Sequence, residues 1–303
     1  MTTRPRPQFG LLIRNSMLEL ILTSVLLFGI TTIVRFVVGP SPISRALPEI
    51  HVELFIVGAL VAVLLAGLII SRPGKISGGH MNPAISLAMW RFGVFPAAGI
   101  VPYIAAQLLG SVLGVLAARA AWGAIVARLP VLYAVIQPAP AWSAAPLFAA
   151  ELIGMGLIVF TVGYFLSIPR LAPLVPWLVG ILIGLGIALL GTQTGGSLNP
   201  ARQFGPAVVS GHTAELWVFL IAPMVGAELA ARLLLAFRKR RQVLTHRLCG
   251  TRPDGGHLNC ESRSEENVSC YILPSVRLRD PNAQISAQHS HINAAKGNRF
   301  NDQ

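Results

Sequence analysis

The sequence predicts an all-α membrane protein with six transmembrane helices and two re-entrant half-helices in an inverted repeat. Three observations support this fold class: an apolar composition, six long apolar runs, and a tripeptide that occurs twice. Hydrophobic residues make up 53% of the 303-residue chain and charged residues only 12%. Soluble domains carry roughly twice that charged fraction. The mean hydropathy of +0.64 also indicates a membrane protein.

Each apolar run is long enough for a helix that crosses the bilayer, which needs about 20 residues. The runs cover approximately residues 18–38, 52–70, 97–122, 144–166, 174–191 and 215–237. The first run is too long for the core of a signal peptide and lacks a small-residue cleavage site close behind it. We therefore expect it to remain as a spanning helix.

The tripeptide Asn-Pro-Ala has the properties of a helix start. It occurs at Asn82-Pro83-Ala84 and at Asn199-Pro200-Ala201, each time after a Gly-Gly pair. Asn is a strong N-cap, Pro suits the first helical position, and Ala propagates a helix. The helical segments predicted here, 82–92 and 199–209, have about half of the ~20 residues that a span requires. Half-length segments at matching places in two halves predict a site at the membrane midplane.

Each half also carries one carboxyl group early in its first span, Glu19 in the first half and Glu151 in the second. A lone carboxyl within an apolar helix needs a partner. We expect both to accept from backbone N–H groups of the irregular loop before each tripeptide and to brace that loop, rather than to carry protons. The repeats are predicted over about 16–122 and 144–237, within a membrane domain of residues 16–237.

Positive charges predict the orientation of the spans. They precede the first span at Arg4, Arg6 and Arg14, and follow the second, fourth and sixth spans at Arg72, Lys75, Arg170 and residues 238–241. If six spans alternate, these ends share one side, which the positive-inside rule makes cytoplasmic. Both termini are then cytoplasmic. The net charge of +12 is explained by this topology and by the tail, so nucleic-acid binding is not predicted.

Two polar segments flank the membrane domain: an N-terminal segment over 1–15 and a tail over 238–303. The tail lacks a sustained apolar period and is predicted to be cytoplasmic and disordered. All three cysteines lie there, at Cys249, Cys260 and Cys270. Their spacing matches no standard zinc pattern, so free, solvated thiols are expected and no metal site is predicted. A thiol trap or sensor is the alternative.

Several longer motifs surround the tripeptides. They are S-G-G-H-M-N-P-A over 77–84, G-G-S-L-N-P-A-R over 195–202, F-G-P-A over 204–207, A-Q-L-L-G over 106–110 and P-M-V-G-A over 223–227. With these motifs the chain resembles the aquaporin and glycerol-channel superfamily, the major intrinsic proteins, from about residue 17 to 237. The resemblance implies an aquaporin-like channel domain, a homotetramer in the lipid bilayer with one pore per chain, and small neutral solutes as cargo.

The pore centre is predicted at Asn82 and Asn199. If each carboxamide oxygen caps its own helix, the amide NH2 group is left to donate into the lumen. Two half-helices that meet tip to tip direct their positive dipole ends at the pore centre and disfavour cations there. Arg202 adds a fixed cation near the outer mouth. His80 is expected to brace the first loop rather than to bind a metal.

The narrowest ring is identified through the resemblance. Counting along matched segments assigns it to Ala62, Ile187, Gly196 and Arg202. Water-selective members usually have a large aromatic residue and a His at the first two positions, so this ring should be wider. The quartet looks like that of the nodulin-like intrinsic proteins of plants, which pass boric and arsenous acid. A one-residue slip would place Val61 or Val63 in the ring instead and narrow it.

These observations predict a passive channel for glycerol-like polyols, metalloid acids and water that excludes ions and protons. Gln203 stands where glycerol facilitators carry Asp, so the chain is not a typical glycerol facilitator. The alternatives are a mainly water-selective channel, a secondary transporter, or a non-conducting scaffold. The motifs supply no nucleophile, base and orienting group in register, so an enzyme is not predicted, and no cofactor is implied. A bacterial inner membrane is the expected location.

Overall fold

The protein folds as a bundle of helices, and the computed structural model describes residues 9–47, 49–237 and 242–251. These ranges contain ten α-helices. The helices are α1 (Phe9–Val37), α2 (Pro42–Ala46), α3 (Ile50–Ile70), α4 (Arg72–Ser77), α5 (Pro83–Arg91), α6 (Ile100–Trp122), α7 (Ala144–Leu166), α8 (Val175–Leu190), α9 (Pro200–Ser210) and α10 (Leu216–Phe237).

Six of the described helices, namely α1, α3, α6, α7, α8 and α10, are long and apolar enough to cross a membrane. Many of their large hydrophobic side chains are exposed on the outside of the bundle, where a soluble protein would be polar. Lipid takes the place of water around these faces. The predicted fold class, an all-α membrane protein with six spanning helices, is confirmed.

The two halves of the chain use the same pairwise packing. In the first half α1 lies against α6, in the second half α7 lies against α10, and α3 packs against α8 across the halves. Glycines let these helices approach closely. A β carbon added at Gly110 would collide with the carbonyl oxygen of Leu20 in α1, and one added at Gly226 with that of Leu152 in α7. Small residues at such contacts are typical of helix association in lipid.

The short helices α5 and α9 are the two re-entrant half-helices. They contain 9 and 11 residues, which is too few to span a bilayer. Each follows a loop of non-helical backbone and packs on a span of the other half as well as its own. The first, α5, contacts α10 and α6, and the second, α9, contacts α6 and α10. The two halves are therefore interlocked at their centre.

The first spanning helix begins earlier than the sequence predicts. It starts at Phe9, so residues 9–15, which the sequence places in the N-terminal segment, are helical. An apolar run marks the part of a helix that lies in lipid. The backbone hydrogen bonds of a helix continue through polar residues such as Arg14 and Asn15, because they do not depend on apolar side chains.

Residues 242–251, which were assigned to the disordered tail, pack against the helices. Val243, Thr245, Leu248 and Cys249 are buried, and the N–H of Leu244 donates to the carbonyl of Leu166, the last residue of α7, at 3.1 Å. Here the structure differs from the prediction, because a few well-placed apolar residues suffice for docking without any periodic pattern. Cys249 is a free thiol but is not solvated.

The remaining residues of the predicted terminal segments, 1–8, 238–241 and 252–303, lie outside the described residues. Cys260 and Cys270 are among them. Beyond α10 the structure describes residues 242–251.

The close contact between α1 and α6 gives a stability prediction. We expect Gly110→Ala to destabilise the protein by about 1–3 kcal/mol, because the added methyl group would collide with the Leu20 backbone. Gly67→Ala in α3 is the matched control, since no atom lies within 4 Å of its added β carbon. Thermal unfolding in detergent micelles would check this. Equal midpoints for the two variants would contradict the packing described here.

Candidate functional site

Asn82 and Asn199 cap the half-helices that follow them. The Oδ1 atom of each side chain accepts a hydrogen bond at 2.9 Å from the N–H two residues further on. Pro83 and Pro200 occupy the first helical positions, where a missing N–H leaves no bond unmade. Each half-helix therefore begins at an asparagine whose side chain is fixed by a hydrogen bond from the first turn of that helix.

The amide nitrogens of the same two side chains join the halves of the protein. Asn82 Nδ2 donates to the carbonyl of Leu198 at 3.0 Å, and Asn199 Nδ2 donates to the carbonyl of Met81 at 2.9 Å. The sequence left both amide hydrogens of each asparagine to the lumen. The structure instead uses one of them between the halves. Asn82 Nδ2 also lies 4.0 Å from Met155 Sδ, a weak acceptor.

Glu19 binds the first loop with both carboxylate oxygens. Oε1 accepts from the Ser77 hydroxyl at 2.7 Å and from the His80 N–H at 3.0 Å. Oε2 accepts from the Met81 N–H at 2.7 Å and from the Gln107 side-chain amide at 3.0 Å. The carboxylate is fully buried. Its lone pairs are occupied by fixed donors, so it holds the loop in place.

Glu151 makes the corresponding contacts in the second half. Its Oε1 accepts from the Ser197 N–H at 3.0 Å and its Oε2 from the Leu198 N–H at 2.7 Å. Glu151 is also fully buried. In each half, the glutamate thus accepts from two loop N–H groups that have no partner in a helix. Backbone N–H groups inside a membrane must be hydrogen-bonded within the protein, because no water is available there.

The residue before each asparagine has a left-handed backbone conformation. The φ angle is 47° at Met81 and 50° at Leu198, which is uncommon for residues other than glycine. In both residues the N–H reaches the glutamate of its own half, while the carbonyl reaches the asparagine of the other half. Such conformations cost of order 1–3 kcal/mol each and persist where surrounding bonds hold them.

The Gly-Gly pairs before these residues also have a conformational reason. Gly78 and Gly79 have φ values of 110° and 66°, and Gly195 and Gly196 have values of 80° and 56°. Only glycine adopts such angles without strain. The pairs therefore allow each loop to turn back tightly toward the start of its half-helix.

His80 braces the first loop through both of its ring nitrogens. Nε2 lies 3.0 Å from the carbonyl oxygen of His246, and because a carbonyl can only accept, Nε2 donates. Nδ1 lies 3.0 Å from the Ser86 hydroxyl in α5. Both nitrogens are thus engaged. Among the residues that the structure describes, no group of three His, Cys, Asp or Glu side chains could hold a metal ion.

Arg202 is held from the loop between α6 and α7. Its Nη1 donates to the carbonyl of Ala134 at 2.7 Å. Two residues further on in the same loop, Ile136 binds the side chain of Gln203, whose Oε1 accepts from the Ile136 N–H at 3.0 Å and whose Nε2 donates to the Ile136 carbonyl at 2.9 Å. Gln203 is fully buried. It therefore positions the loop that orients the guanidinium group.

A single cavity brings the central residues together. Its polar lining consists of His80, Asn82, Ser197, Asn199 and Arg202. The other lining side chains are aliphatic except for a methionine. The cavity is thus a path with apolar walls and a sparse set of hydrogen-bonding groups.

Two separate close contacts involve predicted ring residues of α3, α8 and the second loop. A β carbon added at Gly184 would lie 3.2 Å from the β carbon of Ala62. One added at Gly196 would lie 3.1 Å from the backbone nitrogen of Ile187. Of the four predicted members, Arg202 lines the cavity, whereas Ala62, Ile187 and Gly196 do not contribute to its lining.

The neighbours of Ala62 differ sharply in exposure. Val63 is 61% exposed on the outside of the bundle, whereas Val61 is 1% exposed. The exposure of Val63 favours Ala62 or Val61 for this position of the ring, and the assignment itself stays a prediction.

The roles of several residues of this site are not predicted from the sequence. They are Ser77 and Gln107 on Glu19, Ser111 between α6 and α9, Gln203 and Ala134 at the arginine, and Leu248 in the cavity. Ser111 donates to the Ala201 carbonyl at 2.5 Å and accepts from the Gly205 N–H at 2.9 Å. A buried polar residue in an apolar run, such as Gln107, is the one signal that could have identified a partner in advance.

Comparison with known proteins gives consistent matches. The family described as "Major intrinsic protein" matches residues 10–234. A protein named probable aquaporin NIP7-1, from Arabidopsis thaliana, is 33% identical over 217 residues, which are 71% of this chain and 73% of the plant protein. A probable aquaporin AqpM from Archaeoglobus fulgidus is 37% identical over 186 residues, which are 58% of this chain and 74% of that protein.

A solved structure supports the same fold. The X-ray structure of the aquaglyceroporin from Plasmodium falciparum matches with a TM-score of 0.58 and 21% sequence identity. The match covers 76% of this chain and 96% of that chain. At this identity the similarity shows the fold alone.

The hydrogen bonds of Glu151 give a second prediction. We expect Glu151→Gln to lower the free energy of unfolding by about 1–3 kcal/mol, because its NH2 group cannot accept from a loop N–H. Glu49→Gln, at an exposed position before α3, is the matched control. Thermal unfolding in detergent would measure both. If Glu151→Gln is as stable as the control, the carboxylate does not brace the loop.

Gln203 gives a third prediction. We expect Gln203→Met, of similar size, to leave the Ile136 N–H and carbonyl unpaired, so that the Ile136 amide exchanges hydrogen faster by about tenfold, or 1.4 kcal/mol. Gln193→Met is the control, since the Gln193 side-chain oxygen has no hydrogen-bond partner. Hydrogen exchange measured by mass spectrometry would compare them. Unchanged exchange at Ile136 would rule out the positioning role.

Proposed function

This chain belongs to the major intrinsic protein family, and we propose that it conducts small uncharged solutes passively through the cavity lined by Asn82, Asn199 and Arg202. It is an integral multi-pass membrane protein, and its family supports a passive channel for water and small solutes. The observation that carries the proposal is the meeting of two half-helix N-termini inside one cavity.

Exclusion of cations follows from the half-helices. Each helix has about +0.5 elementary charge at its N-terminus, and both N-termini face the same point of the path. A cation at that point meets two positive dipole ends in a medium of low dielectric constant, where the penalty is large. Arg202 adds a full positive charge beside them. Hydronium is disfavoured for the same reason, whereas a neutral solute is not.

Passage of a neutral solute follows from the spacing of the polar groups. The asparagine amides and the guanidinium group offer donors to a hydroxyl or water oxygen, while the remaining wall offers mainly aliphatic contacts. A molecule with hydroxyl groups can therefore exchange one donor for the next without strong binding at any point. Conduction requires this balance of entry and release.

The ring composition favours solutes larger than water. Ala62 and Ile187 are small or aliphatic, and Gly196 has no side chain, so Arg202 is the sole strong donor of the proposed quartet. A polyol or an uncharged metalloid acid can direct its hydroxyls toward Arg202 and its remaining surface toward Ile187. We therefore propose glycerol-like polyols, boric acid and arsenous acid as solutes, with water also passing.

A mainly water-selective channel is the second candidate. Val61 is buried next to Ala62 on α3, and its larger side chain would narrow the ring if it faced the lumen. The two candidates differ in which of these side chains controls the size of the passing solute. The buried acids favour neither candidate, since Glu19 and Glu151 are occupied by loop hydrogen bonds.

The proposed setting follows from the charges and the family. We propose a homotetramer in a lipid bilayer, with both termini cytoplasmic and a bacterial inner membrane as the location. The residues named here supply hydrogen bonds rather than a reaction centre, so we propose a channel and not an enzyme. A secondary transporter would need a site for a coupling ion, which the buried carboxylates do not provide.

The ring is tested by a bulky substitution. We expect Ala62→Phe to reduce glycerol and boric acid flux by about tenfold, equivalent to about 1.4 kcal/mol in the barrier, and water flux much less. The physical reason is that an aromatic ring excludes the larger solutes first. Stopped-flow light scattering on proteoliposomes would measure the three fluxes.

Val63→Phe is the control for this test, because Val63 is on the outer surface of the same helix. It should leave all three fluxes unchanged. Equal losses for water, glycerol and boric acid in Ala62→Phe would count against Ala62 as the size-determining residue. A proton current through the wild-type protein would count against the dipole argument.

A further inference from the structure

We propose that residues 242–251 form an autoinhibitory plug that closes the pore at the mouth on the α4 side. The inference rests on the proposed channel function and adds a regulatory state to it. These residues follow α10 after a short stretch and bind the loop that precedes α5. Leu248 of this segment lines the cavity together with His80 of that loop.

Leu248 is the residue that closes the cavity. It lines the same space as Asn82 and His80, and it is 1% exposed. Leu65 and Ile69 of α3 line the same cavity. A solute that passes the asparagines would therefore meet the Leu248 side chain before it reached the α4 side.

Backbone hydrogen bonds attach the plug to the loop that carries the first asparagine. The Leu248 N–H donates to the Gly78 carbonyl at 3.0 Å. The His246 carbonyl accepts from His80 Nε2 at 3.0 Å. His80 in turn contacts Ser86 of α5. The plug is thus bonded to the same loop that positions Asn82.

The plug has its own local structure. The Thr245 hydroxyl donates to the Thr251 carbonyl at 3.0 Å and accepts from the Arg247 N–H at 3.1 Å. Gly250 has a φ angle of 72°, and an added β carbon there would collide with the Ala172 carbonyl, so a glycine is needed at this contact. A preformed turn of this kind reduces the entropy lost on docking.

The attachments are noncovalent and involve one short segment, so the plug can be released without disturbing the spans. No described disulfide fixes it, and Cys249 within it is a free thiol. Leu166 and Ala172, which contact the plug, belong to the end of α7 and the turn before α8. Release would uncover the cavity while leaving the asparagine contacts intact.

The plug is expected to respond to pH through His246. The titratable groups around this ring are His80 across a ring contact of 5.7 Å, Arg247 in the same segment, and Glu19 behind His80. Burial, followed by the charges of His80 and Arg247, lowers the pKa of His246 to about 3. A free histidine has a pKa of about 6.5.

The sign of the pH effect follows from this difference. A proton binds the released segment more readily than the docked one, so docking is fully favoured above pH ~6.5 and weakens by about tenfold per unit as the pH falls below it. Solute flux should therefore rise when the α4 side is acidified from pH 7 to about 5.5. His246→Phe, which cannot be protonated, should remove this response.

The plug is tested by placing a charge in the cavity. Leu248→Asp buries an unpaired carboxylate in an apolar space, which expels the segment. We expect it to raise glycerol and water flux about tenfold or more over wild type. A tenfold rise corresponds to a barrier that is lower by about 1.4 kcal/mol. Leu244→Asp is the matched control, since Leu244 is 42% exposed on the same segment. Stopped-flow measurements on proteoliposomes would compare the three proteins.

Thiol labelling reports release independently of flux. With Cys260 and Cys270 replaced by Ser, Cys249 is the one thiol, and a maleimide should react slowly in wild type and quickly in Leu248→Asp. Equal flux and equally fast labelling in all proteins would overturn the plug. Fast labelling of Leu248→Asp without flux of any solute would support docking of the segment and overturn the channel function instead.

Discussion

Reciprocal hydrogen bonds between two loops are the constraint on which the rest of the structure depends. Met81 and Leu198 each present an N–H to the glutamate of their own half and a carbonyl to the asparagine of the other half. Irregular backbone within a membrane is tolerated only when its polar groups are satisfied. These bonds satisfy the polar groups of both loops. The two half-helices can therefore begin at the centre of the bundle, and the six spans can pack around them.

The same bonds explain how an apolar cavity acquires specific chemistry. An asparagine that caps its own helix and crosses to the other half has little rotational freedom, so its remaining hydrogen points in a fixed direction. Fixed donors act without reorganisation, which makes them effective in a medium of low dielectric constant. Arg202 is fixed in the same manner by the Ala134 carbonyl. The proposed selectivity therefore depends on residues that never contact a solute, including Glu151 and Gln203.

The inverted repeat is not symmetric in its outer parts, and this difference matters for function. At one end the loop after α6 supplies Ala134 and Ile136 to the arginine and to Gln203. At the other end His80 binds the carbonyl of His246, and Leu248 enters the cavity. In the proposed channel, the end near Arg202 discriminates between solutes. The opposite end, where a separate segment is bound to the loop, would open and close.

The fold class, the six spans and the two half-helices follow from local sequence, because apolar run length and helix-cap chemistry at Asn82 and Asn199 act locally. The sequence also indicates that Glu19 and Glu151 need loop partners, since a buried carboxyl is costly anywhere. The asparagine cross-links, the Gln107 and Ala134 contacts, and the docking of Leu248 are visible only in the folded protein. Those partners are far apart in sequence and meet only when helices pack, so no local pattern encodes them.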